Sequence, residues 1–341
     1  MTDERHSRQM LFPPIGADGQ RRLAAARVAI VGCGALGTVA AEILARAGVG
    51  ALTLVDRDVV ELSNLQRQSL FTERDAIASR EKAVAAAEAL HAIDPAVAVT
   101  PHVVDLAPRN AERLLAGHDV LLDATDSFAT RLLVNDVAWK LGVPWIYGAA
   151  IAAEGAFGVF RPGATPCLRC FLELLPPPGT TPTCDTAGVI GPVTHLVASL
   201  EAAEALKLLA GAETARGIGV VSLWSGPPSV RMTLASAEPW PGCPTCARRE
   251  FPSLAGEGAE VARTLCGRDS VQVLPTSERT VDLDALAARL APVGEVRRGE
   301  ESVTAAVPEG VLTIFRDGRV LVKGTADPGR GRSLVSRYVG L

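Results

Sequence analysis

The chain has 341 residues, 48% of them apolar, and a formal net charge of −4. That length predicts one large domain plus a smaller one, and the charge excludes the global basic field expected of a nucleic-acid binder. The start, MTDERHSRQM, is charged without an apolar signal core, and the uncharged run Val28 to Ala41 is too short and too glycine-rich to span a bilayer. A cytoplasmic protein with neither nucleic acid nor membrane as a partner is therefore expected.

In chain order, RVAIV (27–31) reads as a strand, Gly32-Cys33-Gly34-Ala35-Leu36-Gly37 as a tight turn, and the residues to about Ala47 as a helix. LTLV, ending at Asp56, is a second strand, and VAVTPHVV, DVLLDAT, a helix across 129–141 and VPWIYGA extend the alternation. This order predicts an α/β fold: a Rossmann-like, mostly parallel sheet with helices on both faces. GAFGVF is a further strand, 176–183 a proline- and threonine-rich loop, and 187–210 a long apolar helix. Strand-like runs follow near 218–224 and 229–234. The expected domains are 1–250, a linker at 251–265, and a small α+β C-terminal domain at 266–341. Its strand candidates are SVQVL, VTAAV, VLTIF and VLVKG, and its helix candidates are 282–291 and 328–338.

The turn Gly32-x-Gly34-x-x-Gly37 between strand and helix is a dinucleotide-type fingerprint, because glycines admit a close backbone and the helix N-terminus attracts phosphate. Asp56 stands where an acid can bind ribose hydroxyls. On these features alone NAD, FAD and ATP all fit. The residues that follow favour a triphosphate: Asp58, Ser63, Asn64, Gln66 and Arg67 form a loop of amide donors and a fixed cationic fork. Lys82 opens a helix and can meet terminal phosphates, and Asp126, after the fourth strand, can hold Mg²⁺. Each has an ordinary alternative: Arg67 a surface ion pair, Lys82 a solvated helix residue, Asp126 a helix cap. There is no Walker A lysine motif.

Ser7-Arg8-Gln9, GCGALG, LVDRDVVELSNLQRQ, DATDS and GAAI, over residues 5 to about 250, resemble the ThiF/MoeB/ubiquitin-activating superfamily. The resemblance implies a homodimer that binds Mg-ATP. Asp56 would hold the ribose, the backbone at Gly34 and Ala35 with Ser63 to Arg67 would line the phosphates, and Lys82 and Arg67 would neutralise charge. Asp126 would position the metal and Arg8 would reach across from the neighbouring subunit. Ala35 and Ser127 depart mildly from the glycine and asparagine frequent in the family. The implied activity is adenylation of the C-terminal carboxylate of a ubiquitin-like sulfur-carrier protein ending in Gly-Gly, with a cysteine desulfurase or another sulfur donor as a further partner. Thiamin, molybdopterin and tRNA-thiolation pathways all remain open. The alternatives are an inactive dimeric scaffold and an NAD-dependent oxidoreductase.

Cys167, Cys170, Cys243 and Cys246 form two CxxC knuckles, a thiolate set suited to structural, tetrahedral Zn²⁺, with a redox dithiol or unligated cysteines as the alternatives. Cys184, at the end of the 176–183 loop, resembles the position of the reactive cysteine in sulfur-transfer members, and a helix starting near 187 would lower its pKa. An unreactive residue on the loop is the alternative. Cys33 and Cys266 read as packing residues. Residues 266–341 carry no catalytic constellation and resemble a tail found on some ThiF-like proteins, with carrier docking or dimer support as its expected roles.

Overall fold

Strand β1 (Arg27–Val31) is buried from Val28 onward, and its neighbours β2 (Ala51–Val55) and β4 (Val120–Asp123) pair with it in parallel, Ile30 opposite Leu54 on one side and Leu122 on the other. Near-continuous apolar runs of this kind belong to strands covered on both faces. The computed structural model describes residues 2–174, 187–233, 239–256, 262–264, 269–275 and 280–339. They fall into two units, Met1–Ala78 with Lys82–Glu257, and Ser79–Glu81 with Gly258–Leu341.

The first unit holds an eight-stranded sheet of order β3-β2-β1-β4-β5-β6-β7-β8. Strands β3 (Ala98–His102), β2, β1, β4 and β5 (Trp145–Ile151) are parallel. Strands β6 (Glu154–Phe160), β7 (Ile218–Ser222) and β8 (Ser229–Thr233) then run antiparallel, so the sheet is parallel over its first five strands only. Two short N-terminal helices, α1 (Thr2–Arg5) and α2 (Ser7–Met10), precede α3 (Gly16–Ala25) and α4 (Gly37–Arg46). After a short α5 (Glu73–Ile77) come α6 (Lys82–Ile93), α7 (Pro108–Leu115), α8 (Phe128–Leu141) and the twenty-residue α9 (Gly191–Ala210). Helix α9 packs on α3, α4, β5 and β6, and α6 packs on α4, whereas α7 and α8 pack together.

Helix α9 begins at Gly191 and not near 187. Val189 bridges to Ala152, the Ala152 amide donates to the Gly188 carbonyl and the Ile190 amide to that of Ala152, so Gly188, at φ +71°, turns the chain into an extended pair, 189–190, tied to Ala152. Pro192 in the first turn then starts the helix. Cys184 lies outside the described residues, but the helix start invoked to activate it is displaced toward the C-terminus.

The second unit has a six-stranded antiparallel sheet of order β11-β12-β13-β14-β10-β9. The four expected strands are β10 (Ser270–Val273), β12 (Ser302–Val307), β13 (Gly310–Phe315) and β14 (Val320–Lys323). The short β9 (Ala262–Thr264) and β11 (Val296–Arg298) at its two edges were not legible. Helices α10 (Leu283–Leu290) and α11 (Pro328–Tyr338) start at Asp282 and Asp327, whose carboxylates accept first-turn amides. Leu286, Leu290, Ile314, Val322 and Val335 are among its core residues.

Candidate active site

The turn between β1 and α4 is built from backbone. The Gly32 amide donates to the Val55 carbonyl at 2.8 Å, and Gly32 has φ +95°, a conformation that L side chains rarely adopt. A Cβ on Gly37 would collide with the Gly32 carbonyl, whereas one on Gly34 would meet nothing closer than the Gln68 Nε2 at 4.0 Å. The open side of the turn is therefore the side beside Gly34, at the N-terminus of α4, where amides and the helix dipole favour an anion.

Asp56 follows β2 and braces this turn. Its Oδ2 accepts from the Cys33 amide at 2.6 Å and its Oδ1 from the Asp58 amide at 2.7 Å. Burial raises its pKa, and the Lys82 charge opposes that rise. Each oxygen retains a lone pair for a ribose hydroxyl. The Cys33 thiol is buried and pushed well above its ordinary value, by burial first and then by Asp56, which fits a packing role and not a nucleophile.

Lys82 opens α6 and is buried, with Nζ 3.5 Å from the Asp58 carboxylate and its amide donating to the Asp58 carbonyl. It is not the solvated helix residue that its position allowed. In the 62–68 loop, Asn64 is fully buried; its Oδ1 accepts from the Glu61 amide, while its Nδ2 has no hydrogen-bond partner among the described residues. A buried amide donor left unmade costs about 1–3 kcal/mol, so this atom fits a nucleotide oxygen. Arg67 donates to the Ser63 carbonyl at 2.8 Å and makes no surface ion pair among the described residues. Gln66, exposed, reaches the Val189 carbonyl at 3.4 Å, and Ser63 is exposed as well.

Asp126 is exposed beyond the end of β4. Ser127, not Asp126, caps α8: its Oγ accepts from the Thr130 amide at 3.3 Å, which leaves the Asp126 carboxylate to other partners. The Asp126 charge is felt by Arg57, Asp123 and Arg131. Thus Gly32, Gly34, Gly37, Asp56, Asp58, Lys82 and Asp126 gather at the C-terminal ends of β1, β2 and β4, where open α/β sheets bind ligands.

Arg8 does not join them. On α2, its neighbour Gln9 donates from Nε2 to the Gln20 Oε1 at 2.7 Å and to the Ala47 carbonyl at 2.9 Å, and Gln20 donates to the same carbonyl at 3.0 Å. Arg5 donates to the Ile93 carbonyl. Ala47 and Ile93 end α4 and α6, the two helices whose N-termini carry the glycine turn and Lys82. At 1.5 Å per residue, a helix as long as α4 separates its ends by about 15 Å, beyond the reach of one side chain. Arg8 is exposed at the far end of its own chain's helices.

The residues missed from sequence lie beneath the site. Asp123 is fully buried, 3.5 Å from Arg131, and burial pushes its pKa up to about 6 against the pull of that guanidinium. Arg131 donates to the Thr125 carbonyl at 2.6 Å and stacks over Tyr147 at 5.1 Å. Glu201, on α9, is fully buried and neither carboxyl oxygen has a partner among the described residues. Its one visible signal was an acid closing the long uncharged run that opens α9.

The four knuckle cysteines converge as expected, all Sγ atoms lying within 4.8 Å of one another. The Cys167–Cys243 and Cys170–Cys246 sulfur pairs are 3.4 and 3.3 Å apart. Tetrahedral ligands at a Zn–S bond of about 2.3 Å are roughly 3.8 Å apart, so the sulfurs fit this ion. Burial, with the neighbouring sulfurs, raises the Cys167 thiol and pushes Cys246 up to about 12. A cation among the four sulfurs would offset the repulsion between neighbouring thiolates.

The ThiF family model matches residues 6–245. The chain is a member of the ThiF family. It is 43% identical over 338 residues to the sulfur carrier protein ThiS adenylyltransferase of Bacillus subtilis strain 168, covering 98% of this chain and 99% of that one. A sulfur carrier protein adenylyltransferase of Thermus thermophilus is 43% identical over 213 residues, covering 61% of this chain and 78% of its own. Among solved structures, MccB of E. coli with ATP superposes with a TM-score of 0.61 at 24% identity, over 71% of this chain and 74% of that one, which is a likeness of fold. Membership sets aside the NAD-dependent oxidoreductase reading. No helix among the described residues is long and apolar enough to cross a membrane.

Proposed function

We propose that this ThiF-family enzyme uses Mg-ATP to adenylate the C-terminal glycine carboxylate of a ThiS-like sulfur-carrier protein. The observation that carries the choice of carrier is the end-to-end match, over 98% of this chain, to an enzyme named for ThiS. The C-terminal unit is thus within the match, whereas the Thermus relative covers 61% of the chain.

The chemistry suits the site. A carboxylate oxygen attacks the α-phosphorus, a new P–O bond forms, the bond to the bridging oxygen breaks and pyrophosphate leaves. The nucleophile is already ionised, so no general base is required, and neutralisation and in-line positioning carry the rate. Asn64, Arg67 and Lys82 would bind phosphate oxygens, Asp56 the ribose, and Asp126 would hold Mg²⁺. Arg8, held away from its own chain's turn, would serve a second copy in a homodimer. Zn²⁺ on the four cysteines would be structural, and Cys184 is proposed to act only in later sulfur transfer with a cysteine desulfurase or similar donor.

ATP–pyrophosphate exchange measured with carriers ending in Gly-Gly tests this reading. Exchange is expected with a ThiS-like carrier and should fall at least 100-fold in Asp126→Ala and Lys82→Ala. Exchange with a MoaD-like carrier alone would reassign the partner, and absence of exchange with every carrier would return the scaffold reading.

A further inference from the structure

Asp136, in the middle of α8, is fully buried, and its carboxylate is spent on the two cysteine knuckles. Oδ1 accepts from the Thr245 hydroxyl at 2.7 Å and from the Arg169 Nε at 3.1 Å. Oδ2 accepts from the Arg169 Nη2 at 3.1 Å and from the Ser253 amide at 2.8 Å. Arg169 lies between Cys167 and Cys170, and Thr245 lies between Cys243 and Cys246. One carboxylate therefore holds the inner residues of both knuckles. The adjacent Asn135, also fully buried, accepts from the Leu168 amide at 2.9 Å and fixes the first knuckle a second time.

The knuckles are 76 residues apart in sequence. Bringing four sulfurs to one point has an entropic cost that must be met either on metal binding or in advance by the fold. Groups that orient ligands from outside the coordination sphere commonly change affinity by 10- to 100-fold. Arg169 also donates to the Ser253 hydroxyl at 2.7 Å, so the segment after the second knuckle is tied into the same network.

We propose that Asp136 is a positioning residue for the four-cysteine metal site: it sets the separation and orientation of the two knuckles, and so the affinity and geometry of the ion they bind. This inference rests on the reading of the four cysteines as a zinc site. It assigns a task to α8 distinct from its packing, one that no motif in the sequence announces.

The test uses the full-length chain and four variants: Asp136→Asn, Thr245→Val, Arg169→Lys, and Arg22→Ala as a control that removes only a bond to the Ala210 carbonyl, remote from the cysteines. Zinc transfer to a chromophoric chelator gives affinity and off-rate; cobalt substitution gives the thiolate charge-transfer and ligand-field bands; circular dichroism reports folding. Asp136→Asn is expected to fold and lose zinc affinity on the order of 10- to 100-fold, with shifted cobalt bands. Thr245→Val and Arg169→Lys should move in the same direction by less, and Arg22→Ala not at all. A folded Asp136→Asn with wild-type zinc affinity and cobalt bands overturns the proposal. If that variant does not fold, unchanged affinity in both Thr245→Val and Arg169→Lys overturns it equally. Wild-type chain that takes up neither zinc nor cobalt overturns the underlying metal reading instead.

Discussion

Glu201 and Asp123 place two carboxyl groups beside one guanidinium in a region closed to water. If both ionise, Arg131 cannot balance them, and burial raises Glu201 well above its ordinary value of 4.5, with Asp123 adding to the rise. The native state therefore holds a proton that the unfolded chain gives up. A carboxyl raised in this way contributes stability that is full below the unfolded pKa and is lost as pH rises through the folded one. Asp123 acts with the same sign between about 4 and about 6. Glu201→Gln removes the larger titration. Its melting temperature relative to wild type should be more favourable at pH 8 than at pH 5, by scanning calorimetry. An equal difference at both pH values would mean that native Glu201 holds no proton above pH 5 and that its carboxyl is not raised.

At the scale of elements, α4 and α6 present opposite ends to opposite tasks. Their N-termini bear the glycine turn and Lys82, and their C-termini anchor the segment that carries Arg8. Gln9→Ala with Gln20→Ala should cost about 2–4 kcal/mol for three lost hydrogen bonds and lower carrier-dependent exchange toward the level of Arg8→Ala, although Arg8 itself is untouched. Exchange at the wild-type rate would show that the anchor does not position Arg8. The glycine turn, β1, β2, β4 and the cysteine knuckles were legible because their signals are local: a run of apolar residues, a fixed spacing, a pair of thiols. The start of α9 was not, because apolar content cannot separate helix from extended chain at 189–190, and the bridge of Val189 to Ala152 decides it. Asp136 and Arg131 were illegible for a related reason: each looks like an ordinary helix charge until the fold brings its partners from distant sequence.

At the scale of the whole molecule, the proposed role of Arg8, set against its distance from the turn of its own chain, would make catalysis a property of two copies. Arg8→Ala and Asp126→Ala should each be inactive alone. Refolded together they should regain on the order of a quarter of wild-type exchange, since half of the dimers are mixed and each mixed dimer has one complete site. No recovery, with mixed dimers confirmed by mass spectrometry of differently tagged chains, would place Arg8 in its own chain's site.

The pairing of sulfurs across 76 residues has a consequence for the chain as a polymer. With an ion on all four cysteines, an unfolded molecule that keeps it is a ring with two tails and not a line. Strand β7 lies inside that loop and β6 a few residues before it, so the search of one for the other is already shortened. Metal-loaded and metal-stripped chains should consequently differ in how fast they fold, even under conditions where both finally reach the same structure.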